Sequence, residues 1–266
     1  MNPERLLACR LFGLDMDGTL YLGDRVFTGT PDFLRTLEQS GRDYIYLTNN
    51  SSRAGLDYVN RLQGLGLPCT KEQILSSGMA TALYLNREYP GQRVCLVGNR
   101  ALARELESYG IPLDDADAQL VVAGFDTELD YQKLDRAVHF LRRGVPFVAC
   151  NPDLVCPMPE DEVLPDCGSI CALLTAASGR EPHYIGKPNR NIIDLVSQRS
   201  GVPNEYICCV GDRLYTDIAA GRNAGTVTAL VLSGETTPDM LQASPVQPDY
   251  VFADVGALAR ALREQR

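Results

Sequence analysis

Short apolar runs along the chain alternate with stretches whose apolar residues recur at helical spacing. Residues 9–14 read as a buried strand and 44–47 as a second. Between them Thr30 is placed to cap a helix with Pro31 at its first position, and Gly41 to stop it. A helix from about Ser52 sets Leu56, Val59 and Leu62 on one face. Residues 93–97, 120–123 and 146–150 read as strands. The helices between them carry Leu102, Leu106 and Tyr109, then Tyr131, Leu134, Val138 and Leu141. After Gly179 come a strand at 183–185, a helix opened by Pro188, a buried strand at 206–210 and a helix after Thr216 ending near Gly225. Strands at 228–232 and 250–252 and a helix bearing Val255, Leu258 and Leu262 complete the chain. Strand followed by helix, repeated, predicts an α/β fold: a parallel sheet with helices on both sides. The middle elements either extend that sheet or build a second α/β unit.

In such a sheet function gathers at the carboxyl ends of the strands. Those ends hold Asp15-Met16-Asp17-Gly18-Thr19, Thr48-Asn49-Asn50-Ser51, Gly186-Lys187-Pro188, and Gly211-Asp212 with Asp217 in the next turn. Crowded carboxylates repel one another, and a hard divalent cation with oxygen ligands relieves them. Lys187 adds a point positive charge, while Thr48, Asn49 and amides at a helix start can hold phosphate oxygens. An ionised aspartate can attack phosphorus, and a second carboxylate two positions on can pass a proton to the leaving oxygen. Asp15 and Asp17 fit those two roles because an extended i, i+2 pair points the same way. Gly18 allows a sharp turn close to the phosphate.

Composition narrows the partners. A net charge of −9 argues against a broad surface for a nucleic acid polymer or an anionic membrane, though not against a small anionic substrate. No run is long and apolar enough to cross a bilayer and the first ten residues lack a signal-peptide core, so a cytoplasmic location is the default expectation. The nine cysteines are an odd number without zinc-site spacing, which reads as reduced, mostly buried thiols. His139 and His183, the two histidines, read as structural, as does Cys167.

The residues at the strand ends resemble the haloacid dehalogenase (HAD) superfamily. Asp15-Met16-Asp17-Gly18-Thr19-Leu20 is similar to its first motif, Thr48-Asn49 to its second, Lys187-Pro188 to its third, and Gly211-Asp212 with Asp217 to its fourth. Asn49-Asn50-Ser51-Ser52, the long insert and Ala149-Cys150-Asn151-Pro152-Asp153 resemble the NagD-like branch, which includes p-nitrophenyl, nucleotide and sugar phosphatases. The resemblance covers nearly the whole chain. It implies a Rossmann-like parallel-sheet core over 1–79 and 180–266, with an inserted α/β cap domain over 80–179. It implies a magnesium-dependent phosphatase of small phosphorylated metabolites working through an aspartyl-phosphate. Asp15 is then nucleophile and metal ligand. Asp17 is acid/base and binds metal through its carbonyl, and Asp212 is the third protein ligand. Thr48 and Lys187 hold phosphate. Asp217 is left between a place at the metal and a helix-start charge. Asn151 and Asp153 in one cap loop, and 166–169 in another, are candidates to touch the substrate. A phosphotransferase or mutase, a phospho-accepting signalling domain and an idle binding module stand as alternatives, and a homodimer is one open assembly.

Overall fold

The computed structural model of the protein describes residues 3–158 and 162–264. The chain forms two compact units. One comprises Met1–Leu47, Val59–Leu75 and Lys187–Arg266, the other Thr48–Tyr58 and Ser76–Gly186. Besides the expected insert, the second unit takes in residues 48–58, and it runs a few residues beyond 80 and 179 at either end.

The first unit is built on a six-stranded sheet in the order Tyr250–Phe252, Val227–Val231, Ile207–Gly211, Leu11–Asp15, Asp43–Thr48, Ile74–Ser76. The central strand Leu11–Asp15 pairs in parallel with both neighbours, Leu14 lying opposite Val210 on one side and Asp15 opposite Leu47 on the other. Its residues Phe12 and Leu14 are fully buried, as are Val227, Ala229, Leu230 and Val231. Continuous burial of this kind follows when helices cover both faces of a parallel sheet. This is the Rossmann-like α/β architecture that the strand–helix alternation predicts.

The second unit has its own four-stranded parallel sheet, ordered His183–Tyr184, Phe147–Ala149, Leu120–Ala123, Val94–Val97. The middle strands therefore build a separate sheet rather than extending the first. Side-chain caps open its helices: Asn99 accepts from the Leu102 N–H and Asp130 from the Lys133 N–H. An antiparallel pair, Val155–Pro157 with Val163–Pro165, follows the third strand in chain order. Among the described residues no helix is long and apolar enough to cross a membrane.

Several local expectations change. The first long helix is Thr30–Gln39 with Gly29 as its cap residue, and the Thr30 hydroxyl donates to the Leu20 carbonyl at 2.7 Å instead of capping. The next helix is Gly55–Gly64, and its buried stripe is Tyr58, Val59 and Leu62. At about 100° per residue Leu56 lies roughly 110° around the helix from the middle of that stripe, and it is 61% exposed. Tyr131 likewise begins its helix exposed. Pro188 sits in the turn before the helix Asn191–Ser200, which starts after Arg190. The hairpin Tyr21–Leu22 with Arg25–Val26, the strand Ile74–Ser76 and the helices Ser77–Glu88 and Cys167–Ser178 have no counterpart in the sequence reading, being short or lacking a polar face.

Candidate active site

Asp15 is the last residue of the central strand, where the sheet delivers its side chain to the carboxyl edge. Lys187, which follows the second unit in the chain, is 4% exposed. Its ammonium donates to Asp15 Oδ1 and to Asp217 Oδ1, each at 2.6 Å. Asp212 follows the strand Ile207–Gly211, and its Oδ1 accepts from the Thr19 hydroxyl at 3.0 Å. One carboxylate oxygen from each of Asp15, Asp212 and Asp217 lies within 4.8 Å of the others. The sequence-predicted Asp15, Lys187, Asp212 and Asp217 are thus brought together in the first unit.

Asp217 lies in the first turn of a helical segment and also reaches Lys187. Residues 214–218 form one wide turn in which the Ile218 N–H reaches the Arg213 carbonyl five residues back, before a short α-helix continues to Ala224. Wide turns of this type re-aim side chains inside a helix. Here the turn keeps Asp217 buried, with Oδ1 on Lys187 and Oδ2 accepting the Arg213 N–H at 3.0 Å.

Burial raises the Asp15 carboxyl well above the usual range, and the charge of Asp217 adds to it while Lys187 opposes. Burial, then Asp217, pushes Asp212 up to about 6, against the Glu235 N–H that favours its charge. For Lys187 burial works downward, but Asp15 and Asp217 outweigh it and the net shift is upward, so it stays an ammonium. One ammonium among three carboxylates leaves an excess of negative charge on oxygen donors. That donor set suits a hard divalent cation.

Asp17 is exposed and outside this group; the Tyr21 hydroxyl donates to its Oδ2 at 3.4 Å. The strand stops at Asp15 and the chain folds back at once, the Thr19 and Leu20 N–H groups donating to the Met16 carbonyl. Gly18 serves that turn with φ of +86°, and a Cβ there would lie 2.5 Å from Asp212 Oδ2. Gly18→Ala is therefore expected to cost about 1–3 kcal/mol of stability through backbone strain. It should also displace Asp212, lowering kcat/KM; a melting curve and a rate assay together check this, and unchanged values in both would refute it.

In the second unit Asn49, Asn151 and Asp153 form their own network. The Asn49 carbonyl accepts from Asn151 Nδ2 at 2.6 Å and from the Ser77 hydroxyl. The Asn49 amide donates to both Asp153 oxygens, at 3.2 and 3.1 Å. Asn151 is fully buried, and its other side-chain atom accepts the Asp153 N–H. It holds the Asn49 and Asp153 loops together. Thr48 ends its strand and accepts the Asn50 N–H at 3.1 Å. The 166–169 segment supports the same loop: the Gly168 N–H donates to the Asp153 carbonyl and the Ser169 hydroxyl to the Leu154 carbonyl.

All nine cysteines are free, and all but Cys156 are buried. Burial raises the Cys167 thiol well above its ordinary value, as an inert core thiol requires. His183 stacks on Tyr84, and His139 lies edge-on to Phe140. Thr19, Arg213 and Glu235 are polar residues of the site that the sequence reading assigns no role. Extending the strand-end logic to Val227–Val231 reaches Ser233, Gly234 and Glu235, so a signal for Glu235 was present.

Comparison with known proteins gives the family of the chain. Residues 12–112 match the family described as haloacid dehalogenase-like hydrolase, and 184–258 match a HAD-hydrolase-like family. Dihydroxyacetone phosphatase of Corynebacterium glutamicum is 34% identical over 92% of this chain and 89% of its own length. Ribonucleotide monophosphatase NagD of Escherichia coli is 33% identical over 92% of this chain and 96% of its own. The crystal structure of 4-nitrophenylphosphatase from Thermotoga maritima superposes with a TM-score of 0.94 at 42% identity, covering 97% of this chain and 99% of that one. Four ordered motifs, a matching fold and relatives along almost the full length lead to one assignment: the chain belongs to the haloacid dehalogenase-like hydrolases, in the NagD-like, p-nitrophenyl phosphatase branch of phosphomonoesterases.

Proposed function

We propose that this phosphomonoesterase hydrolyses small phosphorylated metabolites with magnesium and an aspartyl-phosphate on Asp15. The observation that carries the reading is the ion cluster: Lys187 bonded at 2.6 Å to both Asp15 and Asp217, with Asp212 completing a set of three carboxylates. Asp15, Asp212 and the Asp17 carbonyl would hold the ion, with Asp217 beside them. Bound magnesium would neutralise the carboxylates and the charge on the phosphoryl oxygens.

In the first half-reaction an Asp15 oxygen bonds to phosphorus and the bond to the leaving oxygen breaks. Asp17, exposed and accepting a long bond from Tyr21, protonates that oxygen. In the second, Asp17 takes a proton from water as the water oxygen bonds to phosphorus. The bond to Asp15 breaks, releasing phosphate and restoring both carboxyl groups. Lys187 holds phosphate and offsets the charge of Asp15; Thr48, Asn49 and the Gly18 turn supply further phosphate contacts. By the family resemblance the 80–179 insert takes the role of a cap. Asp153 is its substrate-facing group, with Asn151 as the tie behind it. The buried free thiols suit a reducing, cytoplasmic setting.

The test is phosphate release from p-nitrophenyl phosphate and from a panel of triose, glycolate, sugar and nucleotide monophosphates, with magnesium and with chelator. Metal-dependent release from some of them is expected. Folded protein that releases phosphate equally well in chelator overturns the metal assignment. Asp153→Ala is expected to re-order the panel by changing KM about tenfold for the metabolites and little for p-nitrophenyl phosphate, the scale of one lost polar contact. An unchanged ranking removes Asp153 from the substrate site.

A further inference from the structure

The strand Val227–Val231 runs parallel to Ile207–Gly211 with Leu230 opposite Gly211, so the chain leaving it passes beside Asp212. Residues 233–236 then lie against that aspartate through several polar ties. The Glu235 N–H donates to Asp212 Oδ2 at 2.7 Å, and the Thr236 N–H donates to the Asp212 carbonyl at 3.2 Å. The Ser233 hydroxyl donates to the Gly18 carbonyl at 2.9 Å. A Cβ added to Gly234 would fall 2.0 Å from Asp212 Oδ2, so the backbone there rests directly on the carboxylate. The Glu235 carboxylate pairs with the Arg213 guanidinium at 2.9 Å, in a half-buried setting where the side chains are 34% and 21% exposed. The Arg213 N–H in turn donates to Asp217 Oδ2. The loop is thus anchored at both ends to chain segments that carry the carboxylate cluster.

We propose that residues 233–236 form a clamp that aims the Asp212 carboxylate, and that Glu235, through its ion pair with Arg213, is the positioning residue that keeps the clamp closed. The inference rests on the reading of Asp15, Asp212 and Asp217 as a cation site. A hydrogen bond to one oxygen of a ligating carboxylate stops its rotation, and the other oxygen, here also accepting the Thr19 hydroxyl, keeps a lone pair for the ion; removing such a partner weakens metal affinity by about 10–100-fold. The Glu235 side chain does not touch Asp212. Its part is to hold its own N–H in place, which a charge-assisted pair does better than a neutral contact.

The test is direct titration of Mg2+ and Mn2+ by calorimetry on the whole chain, beside the Mg2+ dependence of p-nitrophenyl phosphate turnover and a melting curve in chelator. Glu235→Ala is expected to weaken cation binding about tenfold while KM for the phosphate ester stays within about twofold, and added Mg2+ should restore turnover. Glu235→Gln, which keeps the shape but not the charge that pairs with Arg213, should fall between it and the wild type. Gly234→Ala, pressing on Asp212 from the loop side, should weaken binding at least as much. A merely structural role would lower the melting temperature and leave the cation affinity where it was. Wild-type affinity in folded Glu235→Ala therefore overturns the clamp alone. A wild-type chain that binds neither ion overturns the cation site and the clamp with it.

Discussion

Asp15→Asn is expected to lower kcat by at least about 10^4, the scale seen when a covalent nucleophile is removed, with the fold retained. The amide occupies the same volume at the end of the central strand but cannot attack phosphorus. The Lys187 ammonium keeps Asp217 at 2.6 Å and can still donate to the amide oxygen, so the cluster need not collapse. Burial and Asp217 both disfavour the charge at position 15. The variant should therefore melt no lower than the wild type in chelator, and even higher near neutral pH. Rapid-quench labelling with a radioactive phosphate ester should trap phosphoryl protein in the wild type and none in the variant. Turnover within about tenfold of the wild type would exclude Asp15 as nucleophile.

Lys187→Met is expected to damage both stability and catalysis. Removing one partner of a buried ionic cluster leaves its counter-charges unpaired, which costs about 3–5 kcal/mol. Asp15 and Asp217 are those counter-charges. The Lys187 pKa moves up on folding, so its contribution is fully present below its unfolded value near 10.4 and is lost only as pH rises through the higher folded value. In the variant the pH dependence comes from the carboxyls. The folded-state pKa of Asp15 already lies above its unfolded value, and without Lys187 it rises further. An acid raised in this way is no burden below its unfolded value near pH 4, destabilises progressively as pH climbs from there to the folded pKa, and levels off above it. The gap between wild type and Lys187→Met in chelator should therefore be wider at a pH above the wild-type folded pKa of Asp15 than at one below it. Denaturant titrations at the two values measure it, and a gap independent of pH would contradict the cluster's electrostatics. Loss of a preorganised cation at the phosphoryl group should also lower kcat by about 10^2–10^3.

Much of the site could be read because its chemistry is local in sequence. Asp15 and Gly18 fall where a buried strand meets a sharp turn, and Asp212 follows the apolar run at 206–210. A strand end names its own residues. The sequence leaves Asp217 open because an acidic residue early in a helix has an ordinary explanation; the structure gives it that first-turn place and a bond to Lys187 as well. The sequence places Asn151 among the candidate substrate contacts, and the fold buries it with its amide on the Asn49 carbonyl. The sequence predicts Thr30 as a cap, yet its hydroxyl serves Leu20, ten residues earlier.

By itself the sequence determined the alternation of strand and helix, the parallel α/β class and the family, because periodicity and motif spacing act within a few turns of chain. Only the tertiary structure decided that the middle strands form their own sheet, that Lys187 meets an aspartate 172 residues away, and that residues 233–236 lie on Asp212. Those outcomes depend on which strands become neighbours and in what register, and hydrophobic pattern alone does not encode a choice of partner between distant segments.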